Sequence, residues 1–246
     1  MKLLKKITLI SIVLLFFAEL AVAQKAWEKD WTNWKKDDAY KILNDSPWAK
    51  NYTNVDVAYS YGSINRSGFD EGVQLPASPP VVLRFYSSLK VRQAVLRLRQ
   101  LQENYDQMDA KQKAEFDEKT KNALNCDNCK TYYVFILLQP VTKPNLKSVV
   151  GEGFRKETLA NLKDKIFLLN DKNEKRELMQ FAPPNTDADS AVFYFPILDE
   201  KQNPLITSET KKITVQFKTS LIKGQAYLQT VEFDVTKMLV GGKLDF

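Results

Sequence analysis

Cys126 and Cys129 are the only cysteines of the 246-residue chain, and their Cys-x-x-Cys spacing can serve a disulfide, a reactive dithiol or half of a metal site. A zinc ribbon needs a second pair, which the chain lacks. Histidine is absent altogether, which removes Ser-His-Asp and Cys-His nucleophile pairs and every histidine-ligated metal site. A thioredoxin-like dithiol places its first cysteine at a helix N-terminus just after a strand, where the helix dipole lowers the thiol pKa. Here a helix-like segment leads in and the β-rich run 131–138 leads out. The preferred reading is a local disulfide closing a tight turn, with a reactive dithiol as the alternative.

The remaining constellations fall short of chemistry. Asn185, Asp187 and Asp189 have the 1, 3, 5 spacing that opens a calcium loop, but position six is Ser190 and position twelve is Pro196, so an exposed polar turn is expected. Gly151-Glu152-Gly153 lacks the third glycine of a phosphate cradle and reads as a glycine-bearing loop. Carboxylate pairs for glycoside hydrolysis are defined by separation in space, so none is named. No catalytic residue, metal ligand or cofactor is assigned.

All four tryptophans, Trp27, Trp31, Trp34 and Trp48, lie within residues 24–50. The first three stand at i, i+4 and i+7, so a helix would align them on one face, either as a sugar-stacking or interfacial surface or as a stripe docked on the main body. Docking is preferred, because large apolar faces are usually buried. A second surface comes from the segment after Leu89. There Val91, Ala94, Val95, Leu98 and Leu101 share an arc bordered by Lys90 with Arg97 and by Arg92 with Arg99. Such a stripe suits an anionic membrane or an acidic partner. Core packing with basic side chains running along its edges gives the same pattern and is preferred.

These residues need a scaffold, and the hydrophobic periods supply one. Lys2, Lys5 and Lys6 precede an apolar run over 7–17, and Ala21-Val22-Ala23 fits a signal peptidase, so cleavage after Ala23 and a periplasmic or secreted destination are expected. Loss of residues 1–23 takes the net charge from +6 to +4. The basic residues are scattered among acidic ones, which argues against nucleic-acid binding. Asp37 and Asp38 open a short amphipathic helix with Ala39, Ile42 and Leu43 on its apolar side, and Ser46-Pro47 reads as the start of another helical turn. Residues 59–80 read as a long exposed loop between strands at 55–61 and 81–86. The helix after Leu89 and a second one over 110–124, capped by Asp109, form a helical hairpin inserted between strands.

Further strands are expected at 131–138, 163–169, 175–181, 191–197, 213–218 and 226–235, with 163–181 a hairpin turning at 171–174. Regular strand-helix-strand alternation is missing. The predicted fold is therefore mainly β (α+β): an antiparallel β-sandwich, Ig-like in general architecture. It is divided into a signal peptide (1–23), a Trp-rich helical arm (24–50) and a sandwich (51–246) with a helical insertion at about 88–125. Asn51-Tyr52-Thr53 and Asn65-Arg66-Ser67 match the glycosylation pattern. The closing Phe246 has the aromatic ending of outer-membrane barrels, but too few long strands precede it to close one.

The leader, the string Ile42-Leu43-Asn44-Asp45-Ser46-Pro47-Trp48-Ala49, the basic helix and Gly242-Lys243-Leu244 together resemble an uncharacterised family of exported soil-bacterial proteins. That resemblance implies export and names no activity. The expected function is a non-catalytic binding or envelope-structural module contacting a protein or envelope component, with peripheral membrane contact as the lesser option. The rival is a secreted enzyme, with thiol-disulfide exchange at Cys126 and Cys129 as its specific form.

Overall fold

Alternating apolar side chains place the strands, and 3.6-residue periods interrupt them at two points. The computed structural model describes residues 25–52, 81–140, 148–185, 190–218 and 230–246. Two 3-10 turns, Ala26–Glu28 and Trp31–Asn33, precede helix α1 (Lys36–Asn44) and strand β1 (Ala49–Tyr52). Then come β2 (Val81–Phe85), the helices α2 (Leu89–Gln102) and α3 (Ala110–Thr120), and β3 (Tyr132–Leu138). Short helices α4 (Val149–Phe154) and α5 (Leu159–Leu162) lead to β4 (Ile166–Asn170), β5 (Lys175–Glu177), β6 (Gln180–Ala182) and β7 (Ser190–Pro196). The chain closes with β8 (Lys212–Phe217), β9 (Thr230–Asp234), β10 (Leu239–Val240) and β11 (Lys243–Leu244).

The strands form a five-stranded sheet in the order β1-β2-β3-β7-β6 and a four-stranded sheet in the order β5-β4-β8-β9, all pairings antiparallel. The strand order β2-β3-β7-β6 against β5-β4-β8-β9 coincides with the ABED and C′CFG orders of immunoglobulin-type sandwiches, with β1 as an extra edge. Register aligns Phe85, Phe135 and Phe193 in one row of the larger sheet. From the smaller sheet, Phe233 meets Phe135 at 5.6 Å between ring centroids, and Phe217 meets Phe193 at 5.8 Å. The α+β fold with antiparallel sheets and a helical hairpin between β2 and β3 is as the sequence predicts.

Several local expectations are corrected. The tryptophans do not ride on a helix, because the Asp30 carboxylate accepts from Thr32 N at 2.8 Å and stops the segment as an isolated 3-10 turn. Ser46-Pro47 starts no helix either. The Ser46 hydroxyl donates to Ile42 O at 2.7 Å and accepts from Trp48 N at 3.2 Å, while Ser46 and Ala49 pair across a tight turn into β1. Gly151-Glu152-Gly153 lies inside α4, whose first turn is capped by Ser148 accepting from Gly151 N at 3.0 Å. Residues 175–181 are two strands in different sheets, parted at Leu178 and Met179. On α2, Val95 points to solvent while Arg97 and Gln100 are buried. The signal peptide, the strand at 55–61, the loop 59–80, the acceptor at Asn65 and the calcium-like Asp187 and Asp189 lie outside the described residues.

The closing segment folds back onto the body. Gly241 and Gly242, at φ +57° and +77°, make the positive-φ turn between β10 and β11. Phe246 then packs on Phe85 at 4.9 Å. The Asp245 carboxylate accepts from Ser88 Oγ, the N-cap of α2, and from Lys90 N at 3.0 Å. Burial pushes its carboxyl above the ordinary value of 3.8, opposed by those hydrogen bonds and by Lys90 and Arg92. The folded state therefore keeps this proton where the unfolded chain has lost it, and stability falls as pH rises from 3.8 through the raised value. Asp38 and Asp106 act oppositely. Hydrogen bonds from Lys29 and Arg97 lower them, so their contribution is present above 3.8 and is lost as pH falls through their folded values. Asp245→Asn is expected to abolish the decline above 3.8 and leave the acid-side loss intact, as read from urea midpoints across roughly pH 3–7.

Candidate functional site

The basic and aromatic residues singled out by the sequence are separated by the fold. Trp34 and Trp48 are fully buried, and the indole N–H of each has no hydrogen-bond partner among the described residues. Trp27 is half-buried and meets Trp48 edge-on at 5.9 Å. Lys90 Nζ stands 5.5 Å from the Trp34 ring. Arg92 is spent at the base of the hairpin, where Nε donates to Leu124 O at 3.0 Å and Nη1 donates to Tyr86 O and Ser87 O at 3.1 and 2.6 Å. Burial lowers its pKa. Arg99 is exposed, pairs with Glu103 at 3.0 Å and lies over Phe116. The four basic side chains are thus engaged at separate places rather than along one edge.

Cys126 and Cys129 are joined, and Cys129 N donates to Cys126 O at 3.0 Å, so the pair closes one tight turn as expected. A three-residue 3-10 turn, Asn128–Lys130, leads from it directly into β3. This is the reverse of the strand-to-helix order that lowers a thiol pKa. Arg92 Nη1 lies 3.8 Å from Cys129 Sγ, so the disulfide and Arg92 fasten the end of the insertion to the sandwich together.

Trp31 and Arg97 do meet, in a cleft of about 360 Å³ between the 3-10 turn Trp31–Asn33 and the helical hairpin. Arg97 forms its floor. Nε donates to Trp34 O at 2.9 Å, while Nη1 and Nη2 donate to the two Asp106 oxygens at 3.0 and 2.8 Å. Nη1 also donates to Gln100 Oε1 at 3.3 Å. At the mouth, Tyr105 OH donates to Asp117 Oδ2 at 3.0 Å and packs on Phe116 at 5.0 Å. Leu96 and Leu124 add apolar wall, and Thr120 adds a hydroxyl that donates to Phe116 O at 2.9 Å.

Helix capping positions this wall. The Asp109 carboxylate accepts from Gln112 N at 2.8 Å and the Gln112 side chain returns to Asp109 N at 3.0 Å, so α3 starts where the sequence puts it, although it ends at Thr120. Asn104, in the left-handed region at φ 56°, turns the chain between the helices and presents Tyr105 and Asp106 to the cleft. Sequence reasoning misses Gln100, Tyr105, Asp106, Asp117 and Thr120. The left-handed Asn104 is the one local signal that a sharp turn brings some of them together.

A second hollow, of about 410 Å³, lies beside the β4–β5 turn and is mostly polar. Its polar groups stitch turns. Asn170 Oδ1 accepts from Lys172 N and Glu174 N at 3.0 Å each, and Asp199 Oδ1 accepts from Lys201 N and Asn203 N at 2.8 Å each. Among the described residues no group of three or more cysteines and carboxylates is placed to hold a metal ion, and no helix is long and apolar enough to cross a membrane. Comparison of the chain with family models, with curated proteins and with solved structures finds no match.

Proposed function

We propose that the chain is an exported, non-catalytic binding module of the cell envelope, and that the Trp31 cleft is its contact surface. The observation that carries this reading is the chemical state of the cleft. It joins an incompletely buried indole to polar groups that are already held by one another, through the bidentate Arg97–Asp106 pair and the Tyr105–Asp117 bond. Burial and the Asp117 bond raise the Tyr105 hydroxyl, and the Arg97 bond lowers Asp106, so each group is driven further into the form it already holds at neutral pH. A general acid or base needs the opposite tuning. Fixed donors, fixed acceptors and an aromatic wall serve recognition instead.

Export is supported by the leader-like pattern over 1–23 and by the joined Cys126 and Cys129, since disulfides persist in oxidising compartments. The reading is tested in an exporting bacterial host carrying the full chain. The mature protein is expected to begin at Gln24 by mass spectrometry and to co-sediment with isolated envelopes. Trp31→Ala should reduce the bound fraction several-fold. Trp27→Ala, on the half-buried ring away from the cleft, should leave it unchanged. Equal binding by wild type and Trp31→Ala would remove the cleft as the contact surface.

A further inference from the structure

The charge balance of the cleft goes further than the binding reading on which it rests. Four ionised side chains line it, Arg97, Lys121, Asp106 and Asp117, and their formal charges cancel. Each is also engaged: Arg97 with Asp106, Lys121 with Glu118, and Asp117 with the Tyr105 hydroxyl. An anionic ligand would have to compete with Asp106 for a guanidinium held at two oxygens. A cationic ligand would face Arg97 and Lys121 in the same lining and would have to compete with Arg97 for Asp106. A neutral ligand disturbs neither pair and leaves the buried Arg97 guanidinium with its partner.

The polar atoms left over have a definite character. A carboxylate has about four acceptor sites, so Asp106 and Asp117, which line the cleft, both retain acceptor capacity beyond the bonds they already accept. Gln100 is oriented by Arg97, which bonds its Oε1, and no hydrogen bond joins its Nε2 to the described residues. The Thr120 oxygen, having given its proton to Phe116 O, can still accept. These acceptors and the amide donor line the same cleft as the aromatic Trp31 and the apolar Leu96 and Leu124.

The matching ligand has an apolar face, edges whose groups both donate and accept, and no net charge. A pyranose ring has all three: its C–H face stacks on an aromatic ring, and its hydroxyls meet acceptors and donors alike. We infer that the cleft binds neutral carbohydrate, a short stretch of an uncharged polysaccharide with one ring stacked on Trp31. The volume, about 360 Å³, lies near the lower end of the roughly 300–1,000 Å³ range of ligand sites, and it holds a short saccharide rather than a folded partner.

The experiment uses the mature chain on an array of neutral oligosaccharides of hexose and N-acetylhexosamine, with trigalacturonate and chitosan trisaccharide as charged comparators, followed by calorimetric titration. A neutral oligosaccharide is expected to bind with little salt dependence and more tightly than either comparator. Trp31→Ala should weaken it about tenfold or more. Asp117→Lys, an exposed change at the mouth, should abolish it while the thermal unfolding midpoint stays near wild type, which keeps the result readable if Trp31→Ala folds poorly. The inference is overturned if no neutral oligosaccharide binds, if a charged comparator binds more tightly, or if Asp117→Lys leaves binding intact. Loss of envelope binding in Trp31→Ala without any neutral saccharide ligand would discard the ligand class and keep the binding module. Absence of both would discard the cleft.

Discussion

Trp34→Ala is expected to lower the unfolding free energy by about 3–5 kcal/mol, enough to leave a marginal domain largely unfolded. Trp34 is fully enclosed and belongs to the same core as Phe135 and Phe233, so its removal leaves a cavity in that core. Trp31→Ala, at a half-buried ring on the cleft, should cost only about 1–2 kcal/mol. The contrast identifies residues 25–52 as part of the core rather than an appendage. Trp34→Phe sharpens it. The indole N–H of Trp34 is buried without a partner among the described residues, and removing such a donor offsets some of the lost volume, so the phenylalanine variant should lose about 1.5 kcal/mol or less. Equilibrium denaturation in urea, with the slope checked for constancy, measures all three. Equal and small losses for Trp34→Ala and Trp31→Ala would mean that the segment merely lies on the surface.

Arg97→Met is expected to cost about 2–3 kcal/mol. Methionine keeps the apolar stem, so the loss reports the guanidinium. Trp34 O loses its donor, and Asp106 loses two charge-assisted bonds. The figure stays below that of a fully buried pair because the Asp106 side chain is 57% exposed and can be rehydrated. Asp106→Ala should cost a comparable amount for the opposite reason, since it strands a buried cation. The double variant should show coupling of about 1–2 kcal/mol in a mutant cycle. A loss under about 0.5 kcal/mol for Arg97→Met would class it with ordinary surface substitutions and withdraw the buried arrangement.

Much of the scaffold is readable in the chain itself. The clean alternation of Val215 with Phe217 and of Val231 with Phe233 gives the buried faces of β8 and β9, and the Asp109 cap gives the start of α3. Two of the misreadings share a cause: a side-chain bond overrules the local pattern. Trp27, Trp31 and Trp34 have helical spacing, but the Asp30 carboxylate captures the next turn's N–H. Val95 belongs to the apolar arc by period, yet Arg97 takes the interior because Trp34 O and Asp106 satisfy it there. The cleft was legible only at Trp31 and Arg97. Its other members arrive from two helices, their connecting turn and a distant segment, and no spacing along the chain marks residues that meet only after folding.

The passage from β5 to β6 has a consequence for how the two layers come to agree. With just Leu178 and Met179 between them, the strands cannot be positioned independently. A one-residue slip of β6 against β7 would flip its side chains to the opposite face, and so short a tether would drag β5 out of step with β4 as well. Misalignment in either layer is thus penalised twice, and the dipeptide works as a shared vernier for the phase of both sheets.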